Sequence, residues 1–136
     1  MAGEQVASGP AAVDVVRSVY EAFGRGDVEA LVALLDPGVE IRQSAEVPWG
    51  GTYRGIDEAL RFFGTLVAHI RTQVEVDRLI VAGDTVVENG RTCGYVVRSG
   101  HEFAVDETHV WTVRDGRITG MHAYVDNAAM LAALAA

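Results

Sequence analysis

The chain has 136 residues, nearly half of them apolar and about a fifth charged, which suits one soluble globular domain with a single core. Its formal net charge of −8 excludes the basic stripe that nucleic-acid binding needs and disfavours an anionic membrane surface. A single cysteine, Cys93, allows no intrachain disulfide, so the expected compartment is the cytoplasm and the expected role of Cys93 is a small buried hydrophobe.

Residues 1–10 are small and polar, end in Gly9-Pro10 and are expected to be a flexible tail. They lack the basic and apolar regions of a secretory signal. One domain is expected over residues 11–136. A helix pattern starts at Val13, with Val16, Tyr20 and Phe23 on one stripe, and the glycines of "GRGD" (24–27) stop it. Asp27 is the expected cap of a second helix with Ala30, Leu31, Leu34 and Leu35 inside, ended by "DPG" (36–38). "VEIRQSA" (39–45) alternates as a strand, and "VPWGGTYRG" (47–55) reads as a loop. A third helix is expected over 57–70, opened by Asp57, with Leu60, Phe63, Leu66, Val67 and Ile70 inside. Four strand-rich segments follow, punctuated by Gly83-Asp84, Ser99-Gly100 and Asp115-Gly116. Asp126 caps a last, Ala-rich helix. No apolar run approaches the ~20 residues that span a bilayer.

Helices first and antiparallel strands later make an α+β protein, a curved sheet wrapped around helices as a cone with an internal pocket. The final hairpin decides what faces that pocket. A plain two-residue turn at Asp115-Gly116 sets Trp111 beside Gly120. A three-residue turn over Arg114, Asp115 and Gly116, with a bulge, instead unites Trp111 and Val113 with Met121, Ala123 and Val125. The second register is preferred because it joins the apolar faces, and it turns Glu107 and His109 inward.

With this element order, the Gly-rich loop and "HVWTVRDGRITGMHAYVDNAAML", the chain resembles the nuclear transport factor 2-like superfamily over about residues 11–135. Within it, the chain looks like the SnoaL-like, ketosteroid-isomerase-related proteins. The resemblance implies a cone fold and a homodimer through the outer sheet face, here carrying His122, Tyr124, Val110 and Thr112. It does not imply one activity, because the superfamily hosts isomerases, cyclases, dehydratases, epoxide hydrolases and binders. Gln43 stands where ketosteroid isomerase has its carboxylate base, and an amide cannot accept a proton at neutral pH. His109 stands where that enzyme has an acidic donor to the oxyanion. Its first-helix tyrosine aligns with Val19, next to Tyr20. Ala123 stands where limonene epoxide hydrolases have a catalytic aspartate.

The remaining candidates are His109 as acid/base or ligand contact, against a packing histidine, and Glu107 as its orienting carboxylate, against a strand-end residue reaching solvent. Trp111 and Trp49 are candidate pocket walls, with Trp49 at the mouth or plugged against the third helix. Tyr20, Gln43, Phe63, Met121, Ala123, Val125 and an inward Glu88 complete the expected lining. His69 belongs to the helix end, His101 to a turn and His122 to the outer face. Without H-x-H or H-E-x-x-H spacing, no metal or other cofactor is expected. The expected partner is a small, largely apolar molecule. The function is that of a cofactor-independent isomerase, cyclase or dehydratase, or else of a non-catalytic binding or interaction domain.

Overall fold

A computed structural model describes residues 11–136; the expected tail at 1–10 lies outside the described residues. Helix α1 spans Ala12–Arg25, α2 Val28–Ala33, α3 Gly55–His69 and α4 Asn127–Ala135. The strands are β1 Leu35–Gln43, β2 Gly51–Arg54, β3 Ile70–Ala82, β4 Thr85–Val96, β5 Glu102–Arg114 and β6 Arg117–Val125. They form one open six-stranded sheet in the order β2-β1-β6-β5-β4-β3. All neighbours are antiparallel except β1 and β6, which run parallel. The sheet curls over α1 and α3, so the α+β cone stands as expected. Among the described residues, no helix is long and apolar enough to cross a membrane.

Helix ends follow local chemistry. Gly26 closes α1 in the left-handed conformation at φ 68, and Asp27 caps α2 by accepting a hydrogen bond from the Ala30 N–H at 3.0 Å. Asp126 does the same for α4 through the Ala129 N–H at 3.1 Å. The α1 face is rotated from the expected stripe: Val15, Val16, Val19 and Ala22 are fully buried, while Tyr20 and Phe23 sit half-buried where the cone opens.

Two expected helix ends move. α2 stops at Ala33 because the Leu34 carbonyl accepts from Ile118 N–H of β6 at 2.8 Å, and Leu35 already pairs with Ile118. Pro37 further disfavours helical backbone at Asp36. α3 starts at Gly55, not Asp57, because the Glu58 carboxylate reaches back to the Arg54 N–H at 2.7 Å. Ile70 then belongs to β3. Part of the expected loop at 47–55 is β2, paired with β1.

The β5–β6 hairpin keeps the expected facing by a different route. Arg114 pairs with Arg117 across a two-residue turn whose residues Asp115 and Gly116 both have positive φ, 53 and 76. Such a turn suits the strand twist and needs a residue like glycine. The extra residue is Thr119, between Ile118 opposite Val113 and Gly120 opposite Thr112. The bulge is therefore in β6 and not in the turn. Its Oγ1 lies 3.2 Å from the Thr112 carbonyl and 3.0 Å from Thr112 Oγ1. Beyond it Trp111 faces Met121, His109 faces Ala123 and Glu107 faces Val125.

On β4 the inner face carries Val86, Glu88, Gly90 and Thr92, all buried. At Gly90 the curling sheet leaves no room for a side chain: a Cβ there would lie 2.0 Å from the Glu75 carbonyl oxygen and 2.6 Å from Glu88 Oε2. Gly90→Ala must part β3 from β4, and should lower unfolding free energy by about 1–3 kcal/mol in denaturant titration. Wild-type stability in that variant would mean the sheet yields there at no cost.

Candidate functional site

The inner faces line a cavity of about 70 Å³, partly open to the outside, between α1, α3, α4, the loop at Trp49 and the concave sheet. Tyr20, Gln43, Trp49, Phe63, His109, Trp111, Met121, Ala123 and Val125 all line it. Glu88 and Glu107 do not; they are buried behind His109. Residues absent from the expected set also line it, among them Val19, Phe62, Thr72, Thr92 and Met130. Thr72 and Thr92 carry little signal, since a threonine on a strand reads equally as wall or surface.

Trp49 is not at a mouth. It is 1% exposed, with its ring 5.9 Å from that of His69 at the end of α3. The loop holds it there because the Tyr53 hydroxyl donates to the carbonyls of Trp49 (3.0 Å) and Gly50 (3.3 Å). Its indole Nε1 has no hydrogen-bond partner among the described residues. His101 is exposed, and His122 stacks on Tyr124 on the outer face at 4.0 Å. Cys93 is half-buried on β4 and free.

Behind the cavity lies a polar cluster that sequence reasoning saw only in part. His109 Nδ1 is 2.9 Å from the Tyr20 hydroxyl, 3.5 Å from Glu88 Oε1 and 3.6 Å from Glu107 Oε1. The Tyr20 hydroxyl is 3.2 Å from Glu88 Oε1 and accepts from Trp111 Nε1–H at 2.9 Å. The hydrogen-bonded orienting group for His109 is therefore Tyr20, with Glu88 and Glu107 both at ion-pair distance from the same nitrogen. Glu88 is the direct cross-strand neighbour of His109, and Glu107 lies two residues along the same strand. A phenol on an otherwise apolar helix stripe was the available sign that Tyr20 had a polar partner.

Electrostatics assigns the protons. Burial pushes the His109 pKa down to about 4, so the imidazole is neutral at physiological pH. Burial first, and the adjoining Glu88 second, push Glu107 up to about 10. Burial raises Glu88 as well, while contacts from Glu107 and Tyr20 hold it back. Burial and the Glu88 charge keep Tyr20 a neutral phenol. Glu107 thus carries the proton and Glu88 the greater share of negative charge. A carboxylate claims the best donor, so Tyr20 O–H points to Glu88 Oε1. The Tyr20 oxygen then accepts from both Trp111 Nε1–H and His109 Nδ1–H. That tautomer leaves the lone pair of His109 Nε2 for the cavity. Glu88, Glu107 and His109 also bring donor atoms within 4.8 Å of one another, close enough to hold a metal ion. Glu107 and His109 stand two apart on β5, but Glu88 comes from β4, so the set leaves no single spacing signal in the sequence.

This arrangement is the cone of the nuclear transport factor 2-like α+β class. Residues 16–121 match the SnoaL-like domain, and the chain belongs to that family. It is similar to an NTF2-like protein of Burkholderia thailandensis, with 32% identity, 93% of this chain and 98% of the other covered, and a TM-score of 0.83. An NTF2-like protein of unknown function from Burkholderia pseudomallei is 29% identical, with 92% and 98% covered and a TM-score of 0.85. TerC, crystallised with polyporic acid, shares the fold at 24% identity, with 92% and 98% covered and a TM-score of 0.82. No curated protein sequence matches the chain.

Buried protonation makes stability depend on pH. With its pKa raised, Glu107 holds a proton in the folded state that the unfolded chain releases above about 4.5, so its contribution falls as pH rises toward 10. His109 acts oppositely, and only between about 6.5 and 4, where the unfolded chain binds the proton that the folded one refuses. Above pH 7 only the Glu107 effect operates of these two. Unfolding free energy should fall from pH 7 to 9 by up to about 1.4 kcal/mol per pH unit, and Glu107→Gln should flatten that slope. An equal slope in the variant would show that Glu107 is ionised in the folded protein.

Proposed function

We propose that the protein binds a small, largely apolar molecule in the cone and moves a proton on it, with His109 as acid/base and no cofactor. The reaction class is isomerisation, cyclisation or dehydration. The observation that carries this reading is the ring of His109: it lines the cavity, and its Nδ1 is held at 2.9 Å by Tyr20. In such a step Nε2 takes a proton from the bound molecule. The imidazolium that forms is stabilised by Glu88 at 3.5 Å and still donates through Nδ1–H to Tyr20. The proton returns from Nε2 to another atom of the molecule. Tyr20 and Trp111 fix the ring, and the apolar walls exclude water that would compete for the proton.

The alternative, a binder without turnover, draws on Gln43 and Ala123, which stand where related enzymes keep catalytic carboxylates. Exchange of substrate protons with D₂O separates the two. In a proton-NMR screen of small cyclic ketones, enones and alcohols, the wild type should catalyse exchange on at least one. His109→Ala should slow it by about 10²–10⁴-fold. His109→Gln keeps a donor but no base and should be as slow. Exchange that survives both substitutions would transfer the protein to the binder class.

We further propose a homodimer through the convex sheet face, where Tyr124 is 51% and Ile80 41% exposed and Val110 and His122 are half-buried beside them. Sedimentation at tens of micromolar (roughly, for a micromolar dimer) should give twice the chain mass. A monomeric mass there removes the dimer.

A further inference from the structure

The inner cavity by itself is smaller than a six-membered ring, so a cyclic ligand that reaches His109 must extend beyond it. At about 70 Å³ it holds a few waters, whereas roughly 150 Å³ accommodates benzene. Next to it lies a surface groove of about 650 Å³ between the α1–α2 turn and α3. Phe23, Phe63 and Thr72 line both spaces and so form the partition between them. The two rings lie 5.8 Å apart at 47°. Neither ring carries a polar group, and Phe63 also packs edge-on against Phe62 at 5.2 Å.

The charge of the groove is informative in a chain of net charge −8. Apart from Thr72, its polar lining consists of Arg25, Arg71 and Asp27, among apolar residues and glycines. Asp27 is committed to the α2 cap through Oδ1, and its Oδ2 is 3.6 Å from Arg25 Nη2. Arg71 donates from Nε to the Val67 carbonyl at 3.1 Å, which fixes its stem and leaves its terminal nitrogens unpaired among the described residues. Two guanidinium groups against one engaged carboxylate leave a positive rim beside an apolar passage.

We propose that cavity and groove form one binding site for an amphipathic acid. The apolar ring system passes between Phe23 and Phe63 toward His109, and an anionic group at its other end pairs with Arg25 and Arg71. A sulfonate, a carboxylate and a phosphate share the chemistry that a guanidinium recognises. This assignment rests on the reading of the cavity as a ligand site.

Two fluorescent probes test it on the full chain: 8-anilinonaphthalene-1-sulfonate and its uncharged counterpart, N-phenyl-1-naphthylamine. The wild type should hold the sulfonate about tenfold more tightly at low salt, and added salt should weaken the sulfonate alone. The double substitution Arg25→Gln, Arg71→Gln should abolish that preference and leave the neutral probe's affinity in place. Phe63→Trp, with its fold checked by circular dichroism, should narrow the passage and weaken both probes. Equal wild-type affinity for the two, or a preference that outlives the arginine substitutions, overturns the anionic end and leaves the cavity reading standing. Unchanged binding of both probes by folded Phe63→Trp overturns the passage. Binding of neither probe overturns the proposal and the cavity reading together.

Discussion

One extra residue in β6 governs the interior. Were Thr119 paired in the ladder instead of bulged out of it, the Asp115-Gly116 turn would set His109 opposite His122 and turn Met121 and Ala123 away from the face that Trp111 and His109 share. With the bulge, the facing pairs are His109–Ala123 and Trp111–Met121. The small Ala123 leaves space over its own position, and that space is where His109 meets the cavity. Everything polar inside the cone is referred to this register. β4 sets Glu88 against His109, and α1 lowers Tyr20 onto both.

The polar cluster is stable for a reason that individual hydrogen bonds do not convey. Two acids with fully buried side chains and, among the described residues, no Lys or Arg paired with them cannot both be charged. Retaining a proton on Glu107 limits the interior to about one negative charge, and Tyr20 O–H answers that charge directly. The neutral imidazole is the natural companion of this state. Burial, and not the charge state of the two acids, is what keeps the resting ring uncharged.

The fold was legible in the sequence because its determinants are local or periodic. Asp27 and Asp126 cap where caps belong, Gly26 and Gly116 take positive φ, and the apolar alternation of β5 and β6 admits one sensible facing. Less legible were features set by contacts between distant segments. The end of α2 depends on Ile118, far along the chain, and the location of the bulge depends on how β6 meets Thr112. The site divides the same way. The inward direction of His109 and Glu107 followed from strand parity. Tyr20 as their hub required knowing how deeply α1 sits on the sheet, and the approach of Glu88 to His109 required the β4–β5 register. The inward turn of Trp49 depends on Tyr53 binding the loop backbone, which composition does not encode.

The parallel pairing of β1 with β6 has a consequence for how the chain is made. β1 is among the first strands to leave the ribosome, and the strand that flanks it on its parallel side is the last. Until β6 arrives, β1 can pair only with the four-residue β2, and the Leu34 carbonyl waits for its donor. Closing that ladder is a long-range event late in synthesis, with a large loop-closure entropy and a high contact order. The nascent chain therefore carries a Val- and Ile-bearing strand edge open to intermolecular pairing for most of its translation. Truncations that remove β6 should be insoluble, whereas changes confined to the exposed end of β3 should be tolerated during synthesis.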